Sequence, residues 1–325
     1  MPLVRRVPTL TGEVSAHELG PTLVHEHVFV TSPGLDRDLP HPEWDEQVAI
    51  DSAVAGLERL YDLGVRTIVD LTVPGLGRDV ARVARVARRT RVLIIGATGY
   101  YADEVLPPAL RLNGPGLLVD GPDPLVELFV GDLERGIAGT GIRAGIIKVL
   151  SDAAGITPDV ERVFRAAATA HARTGAPITT HSHAASRGGL AQQELLRRLD
   201  VPLGRVVIGH AGDSDDLGYL TALAEAGSYV GFDRFGMAHT GSDETRIRML
   251  LALLDAGHLD RILLSHDAAF FSRVTPPSWR AVHAPDWRMD HLHTTVLPRL
   301  REAGLGADEE RRLLVDNPRR MLTGA

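Results

Sequence analysis

The chain of 325 residues contains no cysteine. Disulfides, thiolate metal ligands and a cysteine nucleophile are therefore excluded. Any metal must be held by imidazole and carboxylate, a donor set that suits zinc, iron(II), cobalt or manganese and chemistry of a hydrolytic kind. A surplus of positive charge is also missing. The net charge is −7, which gives no overall attraction for nucleic acid or an anionic membrane surface. No apolar run approaches the ~18 residues that a membrane-spanning helix needs. The basic start, Met1-Pro2-Leu3-Val4-Arg5-Arg6, is not followed by the apolar core of a secretory signal. A soluble, cytoplasmic protein is expected. Linkers, solenoid-period repeats and low-complexity tracts are absent too, so a single domain over 1–325 is expected. Hydrophobic content of 44% and charged content of 24% match globular averages, and a chain this long can bury a large core.

What is present is an alternation of short apolar runs with longer helical ones. The first run carries Leu23-Val24-His25-Glu26-His27-Val28, and further runs lie at 66–73, 92–99, 144–151, 177–183, 205–212, 228–236 and 261–268. They are near-continuous in Val, Ile and Leu, as parallel strands covered on both faces are. Between them, 45–63, 79–90, 124–140, 158–174, 188–199, 216–226, 244–254 and 294–303 carry apolar residues at i, i+3, i+4 spacing. Thr157-Pro158 is a helix start, cap then proline at the first helical position. Eight strands each followed by a helix predict an α/β fold, a (β/α)8 TIM barrel. An open doubly wound sheet would need a phosphate-binding glycine turn. Gly75-Leu76-Gly77-Arg78 lacks the third glycine and a ribose-binding acid downstream.

In such a barrel the C-terminal strand ends gather over one face. His25 and His27 share one side of their strand, because residues i and i+2 do. Lys148, His181, His210 and Asp267 each fall near the end of a separate run. Singly, any of these histidines reads as a satisfied core residue or a helix cap; together they read as a metal centre. His183 copies the two-residue spacing but falls where its strand should end, so it is expected in a loop. His266 should point away from Asp267. His41, His171, His239, His258, His283, His291 and His293 read as ordinary loop or helix residues. Lys148 in Ile146-Ile147-Lys148-Val149 is costly to bury unless paired or modified. With a depressed pKa it could take up carbon dioxide, and the carbamate could bridge two metals. A buried salt bridge or a Schiff-base lysine are the alternatives.

The ordered motifs also resemble a known family. They are Leu23-Val24-His25-Glu26-His27, Thr67-Ile68-Val69-Asp70, Gly75-Leu76-Gly77-Arg78-Asp79, Gly145-Ile146-Ile147-Lys148 and Thr180-His181-Ser182-His183, then Ile208-Gly209-His210-Ala211-Gly212-Asp213, Asp233-Arg234-Phe235-Gly236, Ser265-His266-Asp267 and Asn317-Pro318-Arg319-Arg320. In these the chain resembles the phosphotriesterase family of the amidohydrolase superfamily, in particular its phosphotriesterase-like lactonase branch. The resemblance implies two divalent cations, zinc before iron, cobalt or manganese. His25, His27 and Asp267 would hold the more buried one and His181 and His210 the more exposed one, with a carboxylated Lys148 and a hydroxide bridging them. It implies that Asp267 relays the proton to the leaving oxygen, and that Tyr101 and Arg234 orient or stabilise the oxyanion as a lactone ring opens. Alone, Tyr101 would be a barrel-rim packer and Arg234 half of an ion pair with Asp233.

The implied reaction is hydrolysis of lactones, acyl-homoserine lactones or other γ- and δ-lactones, with weaker organophosphate triesterase activity. A phosphotriesterase or a carboxylesterase or amidase on the same metal site is the alternative. Asp103 stands where many lactonases have a second tyrosine, and the loop 237–243 is short and polar where they line an acyl-chain channel. The last long loop, 268–291, carries Phe270, Phe271, Trp279 and Trp287, either for substrate or for packing. Relatives usually pair, so a homodimer is expected; Trp44 reads as interface or core.

Overall fold

The computed structural model describes residues 5–102 and 104–324. Asp103 and the basic start up to Val4, both considered above, lie outside the described residues. Among the described residues there are eleven strands: β1 Arg6–Thr9, β2 Gly12–Ser15, β3 Thr22–Val30, β4 Thr67–Asp70, β5 Leu93–Gly99, β6 Ile146–Leu150, β7 Ile178–His181, β8 Val206–Gly209, β9 Tyr229–Phe232, β10 Ile262–Leu264 and β11 Ala269–Ser272. β1 and β2 form an antiparallel hairpin that the apolar pattern did not announce. Its turn docks on the main sheet, where the Leu10 N–H donates to Ile94 O at 2.8 Å.

The other nine strands make one curled sheet in the order β10-β9-β8-β7-β6-β5-β4-β3-β11, with every pairing parallel. Each expected run contains one of these strands. Alternate residues along them part into two buried clusters. Val24, Val69, Ile95, Ile146, Val207 and Leu263 pack with each other and with Met321 and Leu322. Their neighbours Leu23, Ile68, Ile94, Ile147 and Ile208 pack under the helices instead. Covering both faces with apolar side chains is what makes an all-parallel sheet stable.

The intervening helices start where the caps say. Asp45, Asp79, Thr157, Asp216 and Ser242 each accept a hydrogen bond from a backbone N–H of the first turn. Three differences from expectation have physical causes. The segment 124–140 is helical only over Pro124–Glu134, because Gly136 at φ 110° and Ala138 at φ 49° turn the chain. The helix expected from 294 begins as a wide π turn, Leu292–Val296, ahead of Pro298, which has no N–H to donate; Arg312–Asp316 does the same ahead of Pro318. The eighth run breaks after Leu264 and resumes as β11, so the expected loop 268–291 opens with a strand and includes the helix Pro277–His283. Among the described residues, no helix is long and apolar enough to cross a membrane.

Candidate metal centre

β3 delivers the first candidate ligands. His25 and His27, two residues apart on this strand, share one side and Glu26 takes the other, beside a register irregularity between Leu23 and Glu26. The His27 Nε2 lies 3.1 Å from Asp267 Oδ1, and the His25 Nε2 lies 3.5 Å from that oxygen and 3.1 Å from Lys148 Nζ. Across the site, the His210 Nε2 lies 3.1 Å from His181 Nδ1 and 3.8 Å from Asp267 Oδ2. The structure thus brings His25, His27, Lys148, His181, His210 and Asp267 together. His183 is left out, in a loop where its Nδ1 meets Ser186 Oγ at 3.0 Å.

Sequence reasoning missed the residue that organises this cluster. Asp233, 2% exposed, accepts from the His25 Nδ1 on Oδ2 at 2.7 Å, and from the His210 Nδ1 and backbone N–H on Oδ1 at 3.0 and 2.8 Å. Each imidazole is thereby fixed with its proton on Nδ1 and its Nε2 lone pair free for a cation. Gly209 and Gly231 make room for this carboxylate: a Cβ on either would lie 3.2 or 2.8 Å from its Oδ2. Thr72 does the same for His27, accepting from its Nδ1 at 2.9 Å while donating its own proton to Asp70 at 2.6 Å.

Glu26 was missed as well. Fully buried, it accepts from His266 Nδ1 at 2.6 Å, Ser265 Oγ at 2.8 Å and the backbone N–H groups of His266 and Ala268. It pins the stretch in which Asp267 adopts φ 54°; His210 is likewise left-handed at φ 62°. Such strained positions persist where the surroundings hold them. His266 points away from the cluster, as expected, and accepts the Leu292 N–H at 2.8 Å. A signal for both acids was available: a carboxylate inside an apolar strand must find donors.

Electrostatics follow from burial. Desolvation, reinforced by Lys148, lowers the His25 pKa. Burial likewise brings His181 down to about 4 and His210 well below its usual value. All three are neutral near pH 7, the form that ligates metal. Burial works to raise the Asp233 and Asp267 carboxyls, but the imidazoles around them hold both well below the usual range. Lys148, 2% exposed, is pushed down to about 8, chiefly by desolvation.

Arg234 is not half of an ion pair with Asp233. Its Nε donates to Asp267 Oδ2 at 3.2 Å and its Nη1 to Asp213 Oδ2 at 3.0 Å, while Arg246 holds the other Asp213 oxygen. The Tyr101 ring meets His181 edge-on at 5.9 Å. Above the cluster opens a cavity of about 290 Å³, lined also by Tyr101, Arg234, Met237, Arg280 and Trp287. His239, read as an ordinary loop residue, lines it too. Of the four loop aromatics, Trp287 lines the cavity and donates Nε1–H to the carbonyls of His266 and Asp267. Phe271 packs on Trp44, which also meets Phe29 and so belongs with the core. Phe270 closes on Gly56, and Trp279 stands edge-on to His239.

Residues 5–322 match the phosphotriesterase family model. The chain belongs to the phosphotriesterase family. It is 45% identical, over 96% of each chain, to a phosphotriesterase homology protein of Mycobacterium tuberculosis. It is 33% identical, over 98% of its own length and all of the relative's, to an aryldialkylphosphatase of Saccharolobus solfataricus. The solved structure of the phosphotriesterase from Mycobacterium tuberculosis superposes with a TM-score of 0.95 at 45% identity, covering 98% of both chains. As a member of this family, the protein is a metal-dependent hydrolase with its His and Asp donors gathered in one place.

Proposed function

We propose that this protein hydrolyses lactones at a centre of two divalent cations, with slower turnover of organophosphate triesters. The supporting observation is the donor set: His25 Nε2, His27 Nε2 and an Asp267 oxygen lie within 4.8 Å of one another, with His181 and His210 beside them. His25, His27 and Asp267 would hold one cation and His181 and His210 the other, and Lys148, its amine lowered by burial to about 8, would join them as its carbamate. Zinc is the first choice for such imidazole and carboxylate donors. When bound, such a pair supplies a water of pKa about 7 and a Lewis acid for the scissile carbonyl.

The chain's own residues supply the rest. Asp267, ionised and aimed by Arg234, takes the proton of the attacking water and passes it to the ring oxygen as the acyl–oxygen bond breaks, leaving a hydroxy acid. Arg234 and the Tyr101 ring face the place where oxyanion charge develops. The curled sheet supports a closed (β/α)8 barrel in one domain: across its seam the Asp267 N–H donates to His25 O at 3.0 Å and the His27 N–H to Ala268 O at 2.8 Å. A homodimer in the cytoplasm, with a small lactone or ester as its only ligand besides metal, completes the proposal.

A second reading, primary phosphotriesterase activity, draws on the relative named an aryldialkylphosphatase. The test is hydrolysis by metal-replete protein of γ- and δ-lactones, acyl-homoserine lactones, an aryl ester and paraoxon, beside Asp267→Asn. Preference for lactones that the substitution abolishes is expected. Turnover of paraoxon or the aryl ester with inert lactones would overturn the lactone assignment.

A further inference from the structure

The cavity wall holds a buried cation that the reaction above does not use. Arg280 is 9% exposed, lines the cavity, and makes no ion pair with a carboxylate among the described residues. Its two terminal nitrogens donate to the backbone carbonyls of Ala269 and Phe270 on β11, and its guanidinium carbon stands 5.8 Å from the Trp287 ring centroid. The Nε–H is buried and has no partner. The nearest acid by charge, Glu43, is engaged elsewhere by the Ser278 N–H and hydroxyl at 3.0 and 2.6 Å. Burial lowers Arg280 to about 10, so it stays charged at neutral pH.

A charge withdrawn from water without a carboxylate partner is costly unless a ligand completes it. β11 follows Asp267 directly and Ala269 stands level with His27, so the cation flanks the reacting centre. Ser272, Thr275, His239 and Thr240 also line the cavity and set polar groups among its apolar lining.

We infer that Arg280 is a specificity-determining residue that binds a carboxylate on the substrate, so that this enzyme prefers lactones or esters bearing an anionic substituent over those with a plain alkyl chain. The inference rests on the proposed hydrolase reading for which bond is broken, but the anion site itself is testable without turnover. The bound carboxylate lies against the cavity side of the guanidinium and replaces the missing counter-ion. Its remote charge anchors the ring while the acyl carbon sits at the cluster.

The test uses the metal-loaded protein, with hexanesulfonate as an anionic probe that ligates metals poorly and hexanol as its neutral counterpart. Binding is read by calorimetry and by the fluorescence of Trp287, whose ring adjoins Arg280. The sulfonate is expected to bind at least about tenfold more tightly than the alcohol, with that advantage lost in Arg280→Gln and partly kept in Arg280→Lys. In turnover, KM for an aryl ester ending in a carboxylate should rise about tenfold or more in Arg280→Gln, with little change for its methyl-capped analogue. Equal binding of sulfonate and alcohol by the unsubstituted protein, which needs no variant to fold, would overturn the proposal. So would an Arg280→Gln protein that binds the sulfonate undiminished. Inert lactones alongside a sulfonate site dependent on Arg280 would sink only the substrate reading above.

Discussion

Replacing Asp233 by asparagine changes one oxygen to an amide nitrogen and leaves the shape nearly untouched. In the native site Oδ1 serves His210 twice, through its Nδ1 and backbone N–H, and Oδ2 serves the His25 Nδ1 at 2.7 Å. An asparagine will keep its carbonyl on the side with two donors, so its NH2 group faces His25. That imidazole must then accept on Nδ1 and carry its proton on Nε2, the atom that faces Lys148 and Asp267. One ligand of the cluster is thereby blocked. Losing such a supporting contact weakens metal binding by 10- to 100-fold in general. Because a ligand is turned off as well, the upper end is expected here: about 100-fold, or about 2.8 kcal/mol. The assay is metal content after dialysis against graded chelator, with circular dichroism to show that the fold is kept. A variant that holds metal as firmly as the native protein would refute the tautomer argument. A loss confined to unfolded protein would refute it too.

Glu26→Gln should cost about 2–3 kcal/mol of stability and loosen metal retention, since four donors converge on that carboxylate beneath Asp267; unchanged thermal unfolding would count against this. Arg234→Gln should lower kcat by about 100-fold while metal content stays near native, because it frees Asp267 without removing a ligand; an equal fall in metal content would instead make Arg234 structural. His293 sets an acid limit. Burial first, then His266 and Arg301, bring it down to about 4 against the pull of Glu310 and Asp290, and its Nδ1 has no partner. The unfolded chain therefore takes up a proton that the folded chain refuses, and stability falls as pH drops from 6.5 towards 4, by at most about 1.4 kcal/mol per pH unit. His293→Gln should flatten that slope in denaturant titrations at several pH values, and an unchanged slope would reject the assignment.

Much of this was legible in the chain. Parallel strands follow from continuous Val and Ile runs, and the cluster of candidate ligands from histidines, a lysine and an aspartate at strand ends. The two-residue period put His25 and His27 on one side and, by the same rule, Glu26 and His266 on the other. What stayed hidden depends on long-range partners. The apolar run around Asp233 says that it needs donors, but which imidazoles supply them appears only where Gly209 and Gly231 make room for its carboxylate. The sequence offers Arg234 only its neighbour Asp233 as an ionic partner, but its fork reaches Asp213 and Asp267 across the site. The division of the eighth run into β10 and β11 turns on one left-handed residue, Asp267, for which no glycine or asparagine gave notice. His239 and Arg280 reach the cavity only because the loops that carry them fold back over it.

The central claim is that a pair of cations held by His25, His27, Lys148, His181, His210 and Asp267 drives lactone opening. Stripping the protein with chelator and titrating it with zinc or cobalt in the presence of bicarbonate, while following hydrolysis of a δ-lactone, tests it directly. Turnover should rise with added metal and reach its plateau at about two equivalents per chain. A plateau at one equivalent, or no lactone turnover with two cations bound, would contradict it.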